Sequence, residues 1–61
     1  MTEDQDRLRK LRHDIANPLA AILAEAQLTL LRSAELDAET VASLREIESS
    51  VRRIRDLLQQ G

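Results

Sequence analysis

No cysteine and no aromatic residue occurs in this chain, and glycine, proline and histidine occur once each. Without cysteine there is no disulfide and no thiolate metal site, which fits a cytoplasmic setting. Without aromatics, any core must be built from Leu, Ile, Val and Ala, the composition of long amphipathic helices. Glycine falls only at position 61 and proline only at 18, so a single internal helix breaker remains. Long apolar runs are lacking too, and no stretch approaches the ~20 residues that a membrane span needs. The opening Met1-Thr2-Glu3-Asp4 is acidic and has no apolar core, unlike a signal peptide. Charge of one sign is absent: the net −2 is weak and mixed. It offers no electrostatic case for nucleic acid or for an anionic membrane surface.

What is present is periodicity. Leu8, Leu11, Ile15, Leu19, Ile22, Ala26 and Leu30 recur at steps of three and four, one face of a helix. Thr2-Glu3-Asp4-Gln5 has the form of a capping box, a hydroxyl followed three residues later by a glutamine. These signals predict a first helix over about 3–32, roughly 45 Å long. Pro18 lies inside it. Its ring and missing N–H conflict with the Asp14 carbonyl, so the helix is expected to bend or loosen there. Residues 33–36 make a short connection, and Asp37 is a good N-cap. Leu36 and Val41 flank it at the spacing of a hydrophobic staple. Val41, Leu44, Ile47, Val51, Ile54 and Leu58 then repeat the same steps, predicting a second helix over about 38–60. The expected fold class is all-α: an antiparallel two-helix hairpin. So small a monomer buries little surface, so two hairpins are expected to pair into a four-helix bundle.

The stretch His13-Asp14-Ile15-Ala16-Asn17-Pro18-Leu19 stands apart. It holds the one histidine and the one proline, with a carboxylate and an amide close by. At ~100° per residue, His13 falls roughly 150° from the centre of the apolar row and should face solvent. Asn17, one turn on, lies on nearly the same side. Asp14 sits on the flank. Ala20, Ala24 and Leu31 continue a stripe below His13 that would let another protein approach closely. A metal site is poorly supported, because His13 and Asp14 are adjacent, point apart and have no second histidine to join them. A Ser-His-Asp arrangement lacks a serine on a compatible face.

These residues, continued by Ala20-Ala21-Ile22, resemble the H box of sensor histidine kinases, in particular their dimerisation and histidine phosphotransfer domain. The pattern is histidine, an acidic residue, two variable positions, Asn or Thr, proline and leucine, and every fixed position is met. Asp14 replaces the more frequent glutamate, and Ala16 a frequent basic residue. The resemblance implies that His13 is the phosphoacceptor and Asp14 its general base and orienter. It implies that Asn17 positions a water for phosphatase activity and that Pro18 supplies conformational freedom. Ala20, Ala24, Gln27 and Leu31 would then form the docking stripe for a response-regulator receiver. The implied partners are a second copy of the chain, an ATP-binding kinase domain and that receiver. ATP and Mg²⁺ would belong to those other domains, because no Gly-rich nucleotide-binding segment follows the second helix. The chain alone is therefore not expected to phosphorylate itself: it is a piece of a longer kinase, or it is phosphorylated in trans.

Two other readings fit the same residues. One is a non-catalytic helical hairpin that binds and inhibits a kinase or receiver. The other is a plain oligomerisation hairpin. The presence of Asp14 and Asn17 together with His13 speaks against the first, since a mimic has no need of both; the second predicts that changes at these three positions alter nothing but stability.

Overall fold

The computed structural model describes residues 2–60. It is an all-α hairpin: α1 covers Thr2–Leu30, a single 3-10 turn covers Ser33–Glu35, and α2 covers Ala38–Gln60. The described residues contain no strand. Thr2 is already helical. It is therefore not the residue ahead of the first turn that a capping box needs. Glu3 and Asp4 remain in that turn, where the helix dipole favours acidic groups.

The end of α1 explains why it stops at Leu30, earlier than the periodicity predicts. Leu31 N–H still donates to the Gln27 carbonyl, at 3.1 Å, but Arg32 N–H turns to Thr29, at 3.0 Å. The helix thus tightens from four-residue to three-residue bonding. Glu35 N–H to Arg32 and Leu36 N–H to Ser33 continue the tighter pattern, at 2.9 and 3.1 Å. The Arg32 guanidinium braces the turn against Glu35, at 2.8 Å. Leu36 is then extended, with φ −106° and ψ 152°, which releases the chain into its return. No described residue needs a positive φ, so the reversal is made without glycine.

Asp37 caps α2. Its Oδ1 accepts the Thr40 N–H at 2.7 Å, while its carbonyl takes the first intrahelical bond from Val41 at 3.1 Å. Hydrogen bonding by Thr40, through its side chain first and its backbone second, holds the Asp37 carboxyl below the ordinary carboxylate value. Leu36 and Val41 are both half-buried on either side of the cap.

Leu19, Leu23 and Val51 form the seam, with Ile15 and Leu58 packed against it. Ala26 is also buried. Leu23 is missing from the row read off the sequence. Several members of that row stay about half exposed: Leu8 51%, Leu11 52%, Ile22 47%, Ile47 44% and Ile54 41%. Leu8 and Leu11 stand on the first turns of α1, where every described residue to position 11 is exposed; for the other three the cause is helix phase. Packing centred on Leu19, Leu23 and Ala26 rotates Ile22 out of the seam by roughly 100° relative to Leu23. The apolar surface is thereby divided between an internal seam and an outward flank.

The two helices differ in length, 29 against 23 residues. Ile15, on α1, and Leu58, near the last described residues of α2, both pack against the seam, and residues 2–11 of α1 are all exposed. The first turns of α1 therefore project past the end of α2. Pro18 lies inside α1, and the backbone remains α-helical on both sides of it. The loosening expected there takes no form of a break. The missing N–H still leaves the Asp14 carbonyl without its usual i+4 donor.

Candidate functional site

His13 lies on α1, five residues before Pro18. It is exposed, and among the described residues its side chain makes no hydrogen bond. Asp14 and Asn17 are exposed as well. Asp14 is not paired with His13. Its Oδ2 accepts from Lys10 Nζ at 3.2 Å, and both side chains are largely in water. That pair was readable from its i, i+4 spacing.

Below His13 an open groove runs between the helices. Asn17, Ala20, Ala24 and Gln27 line it from α1, and Arg55 and Gln59 from α2, over a floor that includes Leu23 and Leu58. The structure thus brings four of the expected site residues to one surface. His13, Asp14 and Pro18 stand outside the groove, and Leu31 lies beyond it, 81% exposed where the turn begins. Arg55 and Gln59 escape sequence reading, because which residues of α2 face Asn17 depends on how the turn sets the register. Gln27 also reaches across the hairpin to Glu48 Oε2 at 3.4 Å. The same oxygen accepts from Arg52 at 3.2 Å.

A second, apolar depression lies on the other flank, lined by Ile22, Ala26, Leu44 and Ile47. Measured round α1 from the middle of the Leu19–Leu23 seam, His13 and Asn17 lie roughly 100–140° in one direction and Ile22 roughly 80° in the other. The imidazole side and the apolar side are therefore separate surfaces. Among the described residues no group of three or more His, Cys, Asp or Glu side chains is placed to hold a metal ion. No described helix is long and apolar enough to cross a membrane.

The hairpin leaves one imidazole exposed on its outer side, on an open surface and not in a closed pocket. Comparison with protein families places the chain. Residues 4–60 match the family described as His Kinase A (phospho-acceptor) domain. The chain belongs to this family, the phosphoacceptor and dimerisation segment of two-component sensor histidine kinases. Comparison with curated proteins finds no match, and neither does comparison with solved structures.

Proposed function

We propose that His13 accepts phosphoryl from ATP held by a separate catalytic domain and passes it to an aspartate of a response-regulator receiver. One observation carries this reading. His13 is exposed and unbonded, on the flank away from the apolar one, and Asn17 at the mouth of a groove lies one turn below it. An imidazole that must meet two proteins in succession needs that freedom.

In the forward step, His13 Nε2 attacks the γ-phosphorus. The N–P bond forms as the bond to the bridging oxygen breaks, and ADP leaves with the electron pair. The Nδ1 proton passes to the Asp14 carboxylate, which keeps Nε2 nucleophilic. In the transfer step, a carboxylate oxygen of the receiver attacks phosphorus, the N–P bond breaks, and Nδ1 recovers its proton. Asn17 positions the water that removes phosphoryl from the partner. Pro18 frees the His13 segment to move between these tasks. Mg²⁺ would be held by the partner domains and would supply charge neutralisation at the phosphoryl group there.

The receiver docks along Ala20, Ala24, Gln27 and Leu31, with Arg55 and Gln59 across the groove. The small alanines allow close approach. The opposite flank, with Leu8, Leu11, Ile22, Ile47 and Ile54, is covered by a second copy of the chain, which completes a four-helix bundle. The setting is the cytoplasm, where ATP and receivers are found.

The test is phosphorylation in trans. Supplied with a histidine kinase catalytic domain and γ-labelled ATP, the chain should take up acid-labile, base-stable label, and His13→Gln should take up none. Equal labelling of His13→Gln overturns the reading.

A further inference from the structure

The reaction proposed above requires Asp14 to serve the imidazole, yet its carboxylate is held by Lys10 Nζ at 3.2 Å. Among the described residues it is the one side-chain hydrogen bond or ion pair made by any of His13, Asp14 and Asn17. Its position on α1 is specific. Lys10 stands three residues before His13 and four before Asp14, so it is a helical neighbour of both. The other cation one turn before His13 is Arg9, which is turned to Asp6 at 3.8 Å. Arg12 adjoins His13 in sequence but is half-buried toward the seam. Side chains on a helix lean toward its N-terminus, so the His13 ring lies over the turn that carries Lys10.

The pair is poorly suited to a structural role. Both side chains are more than half exposed, at 79% and 54%. A cation placed N-terminal to its anion is also the weaker of the two helix orientations. Such a pair contributes little to folding and exchanges partners easily. What it does is local: it occupies the Asp14 carboxylate, which makes no hydrogen bond to the neighbouring imidazole.

We propose that Lys10 is a positioning residue for the His13 reaction, holding the Asp14 carboxylate in reserve and so setting how often Nδ1–H finds its acceptor. The inference rests on the phosphoacceptor reading but makes a claim about the free chain. With Lys10 engaged, Asp14 is drawn toward the preceding turn. When the ammonium lets go, the carboxylate accepts from Nδ1–H, which fixes the tautomer whose Nε2 lone pair is free. No proton leaves the lysine; only the partner of the carboxylate changes.

The experiment is ¹⁵N NMR of His13 in the whole chain at a pH where imidazole is neutral, reading the ratio of Nδ1–H to Nε2–H tautomers. Lys10→Met should raise that ratio about twofold, the bias that an exposed ion pair of this spacing can impose. Lys10→Arg should keep the wild-type ratio, and Lys10→Met combined with Asp14→Asn should cancel the rise. Lys10→Met should also speed the initial phosphorylation of His13 by a similar factor. Circular dichroism of each variant should show the helix content unchanged. An identical ratio in Lys10→Met and wild type overturns the proposal, as does a rise that persists without the Asp14 carboxylate. A rise in the ratio in a chain that never takes up phosphoryl would leave the positioning intact and overturn the phosphoacceptor reading instead.

Discussion

Replacing Ile47 with aspartate and replacing Val51 with aspartate should give different products, although both positions belong to one periodic row of α2. Val51 is 4% exposed and lies in the seam with Leu19 and Leu23. Ile47 is 44% exposed on the outward flank, beside Ile22. Ile22, Ile47 and Ile54 stand about half open there, as do Leu8 and Leu11 on the first turns of α1. Covering them with a second copy contributes on the order of 4–7 kcal/mol per protomer. Ile47→Asp removes part of that and adds a carboxylate that the dimer would bury unpaired, at several kcal/mol. A two-fold interface repeats the damage in both copies. The dissociation constant should therefore rise by on the order of 10⁴-fold or more, since each 1.4 kcal/mol is tenfold. Sedimentation equilibrium across a concentration series measures this directly. Val51→Asp should instead destroy the hairpin, losing helical signal as well as association. Gln59→Asp, on the groove side, should leave the dimer intact. If Ile47→Asp sediments as a dimer with the wild-type dissociation constant, the division of the surface into seam and interface is wrong.

Other perturbations reach the remaining parts. Leu23→Ala should destabilise the hairpin by about 2–4 kcal/mol in denaturant unfolding, because a large seam side chain is truncated at a closed site. Asp37→Ala should lower the thermal midpoint at neutral pH. Because the folded-state carboxyl titrates below its ordinary value, the charged cap's contribution is present above that value and fades as pH falls through the lowered one. Asp37→Asn, which caps without charge, should show a midpoint less sensitive to acid over that window. Arg55→Glu should slow transfer from phosphorylated His13 to a receiver by about tenfold through altered charge complementarity. Uptake of label by His13 should be unchanged, so equal loss of both activities would remove the groove from the docking surface.

The steps of three and four along Leu8 to Leu30 and Val41 to Leu58 sufficed for two helices and a hairpin, because burying one face is what those spacings are for. They could not distinguish Ile22 from Leu23. Adjacent apolar residues both fit a helical stripe, and only the partner helix decides which one lies in the seam. α1 ends at Leu30, about two residues before the periodicity predicts, for a related reason. No glycine or proline marks that end, and the switch at Thr29 to three-residue bonding leaves no compositional trace. The outward direction of His13 and Asn17 was legible, since it depends on phase within one helix. The approach of Arg55 and Gln59 to Asn17 was not, since it depends on the geometry of the turn.

Pro18 has one further effect. A helical backbone is a ladder of amides, and the rung that would tie residue 18 to Asp14 is missing. Hydrogen exchange in α1 should therefore fall into two zones. Amides before the proline would open and close by themselves, while those of the Leu19–Ala26 stretch would exchange only when the hairpin as a whole comes apart. The imidazole rides on the part of the helix that moves at least cost.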